Sequence, residues 1–172
     1  MNEFMQLGIT DTLTRLLYKN GIKTPTEIQR AAIPAIFKGR DIVGRSETGT
    51  GKTLAYLLPI MQRIRTDTEN TQVLIMTPTR ELAKQVFQVA GTFAKDMNID
   101  VTDVIGGRTI ENQIQKLKRD PHIVIGTPGR LLDHLKRRTL DISNAGIVVL
   151  DEADQMLAAG FREDIDALID VM

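Results

Sequence analysis

The segment Ser46-Glu47-Thr48-Gly49-Thr50-Gly51-Lys52-Thr53 stands between an apolar, strand-like run, Asp41-Ile42-Val43-Gly44, and a helical run that begins at Leu54. Clustered glycines let successive backbone N–H groups curl around an anion. Lys52 adds a point charge, the Thr53 hydroxyl can ligate Mg2+, and the helix that follows aims its positive end at the same place. Such a loop needs a strand to deliver it and a helix to leave it, so strand–loop–helix is the expected local order. The usual pattern opens with Gly five positions before Gly51, where this chain has Ser46. A Gly/Thr-rich surface turn would have the same composition, but the apolar run before it and the helical run after it favour a phosphate loop.

A chain of 172 residues has room for one domain with a real core and is short for two. The expected organisation is one domain over 1–172, with N-terminal helices over 1–38 and a phosphate-loop core over 39–172. Its 22 basic and 22 acidic side chains cancel, so a polyanion must be held by a local site rather than by a global field. The absence of cysteine excludes disulfides and thiolate metal sites and fits a reducing, cytoplasmic setting. His122 and His134 lack ligand-like spacing, no apolar run approaches a membrane span, and the first residues lack the basic start of a secretory signal.

Apolar runs bounded by turn residues recur at Ile42–Gly44, Val73–Met76, Val101–Ile105, Ile123–Ile125 and Ile147–Leu150. Between them lie helical spacings: Leu54, Leu57, Leu58, Met61, Ile64; then Leu82, Val86, Val89, Phe93; then Ile110, Ile114, Leu117. Short buried strands alternating with amphipathic helices predict an α/β fold, a parallel sheet with helices on both faces. Ahead of it the pattern predicts one helix ending at Asn20-Gly21 and another from Thr26 that Pro34 should bend or divide.

In such sheets ligands bind beyond the carboxyl ends of the strands. There the chain places Thr77-Pro78-Thr79-Arg80, then Gly106-Gly107-Arg108-Thr109, then Thr127-Pro128-Gly129-Arg130. Thr-Pro before a helix is also ordinary capping. Together, helix starts with exposed N–H groups beside Arg80, Arg108 and Arg130 suit a phosphate backbone rather than base edges. With two Tyr, five Phe and no Trp, stacking on splayed bases is a minor mode. The runs Lys116-Leu117-Lys118-Arg119 and Lys136-Arg137-Arg138 read first as solvated helix faces.

The last strand ends in Asp151-Glu152-Ala153-Asp154. A carboxylate at the tip of an apolar strand, in a chain with a phosphate loop, suits Mg2+ organisation through water, the role read for Asp151. Glu152 is then placed to orient and deprotonate an attacking water.

In this order the motifs make the chain resemble, over nearly its whole length, the first RecA-like domain of DEAD-box ATP-dependent RNA helicases, bacterial members above all. The resemblance includes the glutamine motif Gly21-Ile22-Lys23-Thr24-Pro25-Thr26-Glu27-Ile28-Gln29, with Phe4 as its isolated upstream aromatic. It implies ATP and Mg2+ as cofactors, with Gln29 reading adenine, Ile22 where members commonly carry Phe, and Ser46 where they carry Ala. Nucleotide contacts fall on Ile22, Gln29 and Ser46 through Thr53, metal contacts on Thr53 and Asp151, and catalysis on Lys52, Asp151 and Glu152. It further implies RNA contacts at Pro78, Thr79, Arg80, Gly106, Gly107, Thr127, Pro128, Gly129 and Arg130. RNA is expected over DNA through the 2′-hydroxyl.

The resemblance also implies a Ser-Ala-Thr motif and a second RecA-like domain, which these residues do not include, so the chain is expected to be a piece of a helicase. Arginine fingers from that second domain are worth roughly 10³–10⁵ in rate. The chain alone should therefore bind nucleotide at best, with hydrolysis and unwinding near zero. The Ser-Ala-Thr strand lies, in related proteins, between the phosphate-loop strand and the Asp-Glu-Ala-Asp strand. Its slot is expected to be filled by another chain, closed by rearrangement or left as a loosened sheet, and Asp154 should lack its coupling partner. Two other readings are a non-catalytic RNA- or protein-interaction module and, remotely, a phosphotransferase. The latter needs an arginine-bearing lid and an acceptor pocket, whereas this chain offers Gln29 and Asp151-Glu152.

Overall fold

The computed structural model describes residues 2–172, which form two compact units meeting in sequence at Ile64 and Arg65. In the first, α1 (Glu3–Gln6), α2 (Asp11–Lys19), α3 (Glu27–Phe37) and α4 (Lys52–Arg63) supply the elements. Phe4, Leu13, Leu17, Ile33, Leu57, Leu58 and Met61 are buried. The Gln62 amide clamps the turn between α1 and α2, accepting from Thr10 N–H and donating to the Gly8 carbonyl, each at 2.9 Å. Pro34 lies inside α3 without dividing it. Of the two expected outcomes, division is excluded.

The second unit carries β1 (Val73–Met76), α5 (Arg80–Ala94), β2 (Val101–Val104), α6 (Ile110–Leu117), β3 (Ile123–Gly126), α7 (Pro128–Lys136), β4 (Ile147–Leu150), α8 (Ala153–Ala158) and α9 (Arg162–Ile169). The sheet is four-stranded, parallel throughout, in the order β2-β3-β1-β4. Val73 through Met76 are wholly buried, so both faces of β1 are covered, as expected for a strand that reads as a continuous apolar run. One core gathers Leu74, Met76, Val104, Val124, Leu131 and Met156. Among the described residues no helix is long and apolar enough to cross a membrane.

The first expected strand does not form. Among the described residues Ile42–Gly44 belongs to no strand, Val43 is fully exposed and Ile42 is 39% exposed. A run this short is a strand only when a neighbour completes its ladder, and apolar alternation cannot supply the neighbour. The sheet ends at β4, where burial drops to a half-covered pattern and Val148 and Leu150 lie partly open.

Candidate nucleotide loop and nucleic-acid groove

In the first unit the phosphate loop is shaped by its glycines. Gly49 (φ +81°) and Gly51 (φ +88°) take left-handed conformations, and Gly51 caps α4, its carbonyl accepting from Ala55 N–H at 3.1 Å. The loop is closed on itself. Lys52 Nζ donates to the Ser46 carbonyl at 2.7 Å, Thr50 Oγ1 donates to the Glu47 carbonyl at 2.7 Å, and the Ser46 and Thr50 hydroxyls are 2.7 Å apart. Ser46 thus ties the loop through a hydroxyl contact that an alanine there would not make. Thr48 and Gly49 are exposed, and Thr53 is half-buried in the first turn of α4.

Gln29 is 2% exposed and uses both ends of its amide. Oε1 accepts from Thr26 N–H at 2.9 Å, capping α3, and Nε2 donates to the Gly51 carbonyl at 3.0 Å. A Cβ on Gly51 would stand 2.5 Å from that nitrogen and displace the amide, and the φ of +88° is one that other residues rarely adopt. Each end of the amide keeps one further site, an N–H and a lone pair, beyond these bonds. Phe4 is fully buried in α1, and Ile22, whose N–H bonds the Leu17 carbonyl at 2.9 Å, is half-buried. These residues fit a nucleotide's phosphates: a lysine held by one loop carbonyl is released when an anion offers stronger charge-assisted bonds.

In the second unit all four strands are parallel, so their carboxyl ends share one edge. Thr79 caps α5 by accepting from Leu82 N–H at 3.2 Å, and Thr127 with Pro128 opens α7. Gly126 must be glycine, since a Cβ there would meet the Val104 carbonyl oxygen at 2.4 Å. The Arg80 guanidinium lies against Gly106-Gly107, where added Cβ atoms would come within 2.9 and 2.6 Å of it.

These loops surround one open cavity of about 670 Å³, lined by Pro78, Thr79, Arg80, Gly106, Thr127, Gly129 and Arg130 together with Glu81, Asp133 and Phe161. Seven of the nine residues expected to touch RNA therefore converge; Gly107 lies under Arg80, and Pro128 is buried in α7. Asp133 and Phe161 were missed by sequence reasoning. The first could have been found, because Asp133 lies one helical turn after Arg130. Arg137 Nε bonds Asp133 at 2.9 Å and holds its carboxyl below the usual range.

Arg108 does not join the groove. It pairs at 2.8 Å with Asp103, a β2 carboxylate 1% exposed, which Lys116 also reaches at 3.2 Å. Its charge is spent on satisfying a buried anion. Lys118, Arg119, Lys136, Arg137 and Arg138 are exposed, as the solvated-face reading has it.

Asp151, 9% exposed, follows β4 directly and its N–H bonds the Met76 carbonyl at 2.9 Å. Glu152 caps α8 in a left-handed conformation (φ +55°), which costs a non-glycine residue about 1–2 kcal/mol and marks a candidate functional position. Asp154 is exposed and forms no ion pair among the described residues. No group of three or more His, Cys, Asp or Glu that could hold a metal converges among them either. Mg2+ at Thr53 or Asp151 would thus draw most of its ligands from nucleotide and water.

His134 is fully buried, and burial, helped by Arg130, pushes its pKa down against the pull of Asp133. Below the unfolded-chain value of about 6.5 the unfolded chain binds a proton that the folded one refuses. This group's contribution is therefore complete above that pH and is lost as pH falls. Denaturant melts are expected to show His134→Gln losing less stability than the parent between about pH 7 and pH 5; equal losses would contradict it.

Residues 26–172 match the family model for the DEAD/DEAH box helicase. The chain is 44% identical over 169 residues to the DEAD-box ATP-dependent RNA helicase CshA of Bacillus cereus, covering 98% of this chain and 32% of that protein. It is 44% identical over 167 residues to the ATP-dependent RNA helicase DeaD of Buchnera aphidicola subsp. Baizongia pistaciae, covering 96% and 28%. The chain thus spans about a third of the length of the curated relatives it matches. A DEAD box protein from the hyperthermophile Methanococcus jannaschii superposes with a TM-score of 0.93 at 35% identity, over 98% of this chain and 46% of that one. The RNA helicase Prp28 of Chaetomium thermophilum, bound to ADP, gives 0.88 at 37%, over 97% and 42%. The chain belongs to the DEAD/DEAH box helicase family and corresponds to its N-terminal RecA-like domain.

Proposed function

We propose that this chain binds ATP at Ser46–Thr53 and an RNA backbone at the groove after β1, β2 and β3, and that in its parent protein the two are coupled to local duplex unwinding. The observation that carries the reading is the convergence of Pro78–Arg80, Gly106 and Thr127–Arg130 on one cavity. It offers two arginines and the N-terminal ends of α5 and α7 and few surfaces for base edges, so binding is to phosphates and is sequence-independent.

In the reading that the family suggests, Lys52 would neutralise the outer phosphates, Thr53 and Asp151 are the residues that would hold Mg2+, and Glu152 would take the proton from the attacking water. Mg2+, when bound, neutralises charge that develops on the transferred phosphoryl group. Asp154 is the coupling residue. By itself the chain binds nucleotide weakly and turns over near zero, since an arginine finger worth roughly 10³–10⁵ must come from a second RecA-like domain. The setting is cytoplasmic, and DNA is not a substrate.

The groove is tested by titrating single-stranded RNA at several salt concentrations. Arg80→Ala and Arg130→Ala should each weaken binding to every sequence alike and lower the slope of log K against log salt by about 0.7, one phosphate on a single strand. Loss confined to one sequence, or no loss, would exclude a backbone groove. In a chain that also carries the second domain, Glu152→Gln should retain ATP binding and lower the hydrolysis rate about a hundredfold or more. An unchanged rate would favour the passive interaction module.

A further inference from the structure

Behind the groove-lining loops runs a chain of buried polar side chains that the proposed function does not use. Gln113 on α6 is 2% exposed and His134 on α7 is fully buried. Gln113 Nε2 donates to the carbonyl of Ile105, the residue just before Gly106-Gly107, at 2.5 Å. With its nitrogen committed there, the amide presents Oε1, an acceptor, to His134 Nε2 at 2.8 Å. Nε2 therefore carries the proton, and in the neutral ring Nδ1 accepts from the Thr139 hydroxyl, 2.8 Å away. The hydrogen bonds tie the loop after β2 to the helix whose first turn holds Pro128, Gly129 and Arg130.

We propose that Gln113 and His134 are positioning residues for the backbone groove. The bonds from the Ile105 carbonyl through Gln113 to His134 set where Gly106-Gly107 stands relative to the start of α7, and hence the spacing at which successive phosphates are met. The proposal rests on the RNA reading. Its physical basis is direction. Apolar side chains of the same volume would fill the space at lower desolvation cost, yet an apolar contact slides, whereas a hydrogen bond weakens steeply away from linearity. Arg80 lies against the same Gly-Gly turn. The turn is thus held by Arg80 and, through the Ile105 carbonyl, by Gln113.

The experiment uses the 172-residue chain, a labelled uridine oligonucleotide at low salt, and Mg-ADP titrated separately. His134→Leu leaves Gln113 Oε1 without its donor; His134→Gln restores an amide N–H at similar reach. His134→Leu is expected to weaken RNA binding by roughly five- to tenfold, the scale of one net hydrogen bond, with Mg-ADP affinity unchanged. His134→Gln should return to within about twofold of the parent. If His134→Leu does not fold, Gln113→Met, which breaks both bonds at nearly constant volume, carries the same comparison. RNA affinity unchanged in the apolar variant, or lowered equally in His134→Gln, would overturn the positioning role while leaving the groove intact. A parent chain that binds no RNA would overturn the RNA reading itself, and the inference with it.

Discussion

Lys52→Ala is expected to cut the thermal stabilisation that Mg-ATP and Mg-ADP confer on this chain at a hundredfold excess from about 2.7 to about 0.4–1.4 kcal/mol. A ligand that binds only the folded state stabilises it by about 2.7 kcal/mol at a hundredfold excess over Kd. The ammonium of Lys52 bonds a loop carbonyl and is the loop's one lysine; charge-assisted bonds of this kind are worth about 1.5–3 kcal/mol, so its loss lowers affinity roughly ten- to hundredfold. Ligand-free stability should change little, because what is lost is one half-buried bond within the loop. The measurement is a melt at fixed nucleotide with bound nucleotide counted in parallel. A shift that survives the substitution undiminished would place the nucleotide elsewhere. A parent that shows no shift would mean that the loop cannot grip phosphate while 42–44 is unpaired.

The largest expected loss of stability comes from a methyl group. Gly126 ends β3 in register with Met76 and Val104, and a Cβ there would lie 2.4 Å from the Val104 carbonyl oxygen and 2.9 Å from Leu131 Cγ. The oxygen belongs to a backbone held in the sheet and cannot swing away, so Gly126→Ala must part β2 from β3 or push α7 outward. Overpacking of this kind costs about 1–3 kcal/mol, which for a chain of this size lowers the melting temperature by roughly 3–10 °C. Gly129→Ala is the control, its Cβ 3.6 Å from Asp164 in ordinary contact. In the first turn of α7, alanine is expected to be neutral or to stabilise by up to about 1 kcal/mol. If the two variants melt alike, the Gly126 contact is softer than its geometry indicates. Gly126→Ala should also weaken RNA binding, because Thr127 through Arg130 follow it directly.

Much of the molecule is local and therefore legible. Val73–Met76 reads as a buried parallel strand because it is apolar throughout, and it is one. Thr79 and Thr127-Pro128 read as helix starts because capping chemistry acts within a few residues, and they are. The same reasoning failed at Ile42–Gly44, which has a strand's composition but no neighbour, and pairing depends on residues a hundred positions away. Arg80, Arg108 and Arg130 looked equivalent, each following a strand. Asp103 separates them: a polar residue on the inner side of β2 neutralises Arg108. Nothing in the periodicity announces which arginine an interior carboxylate will claim.

The sequence alone therefore determined which segments become parallel strands and capped helices, and that a glycine-rich lysine loop and the Asp-Glu-Ala-Asp turn flank them, since these depend on backbone preferences and neighbours one turn away. Only the tertiary structure decided that the sheet stops at β4, that Gln29 donates to the Gly51 carbonyl, and that Gln113 and His134 link two walls of the groove. Each of those outcomes depends on a partner far away in sequence. A hydrogen bond or ladder contact exists only once the chain has brought its two halves within about 3 Å of each other.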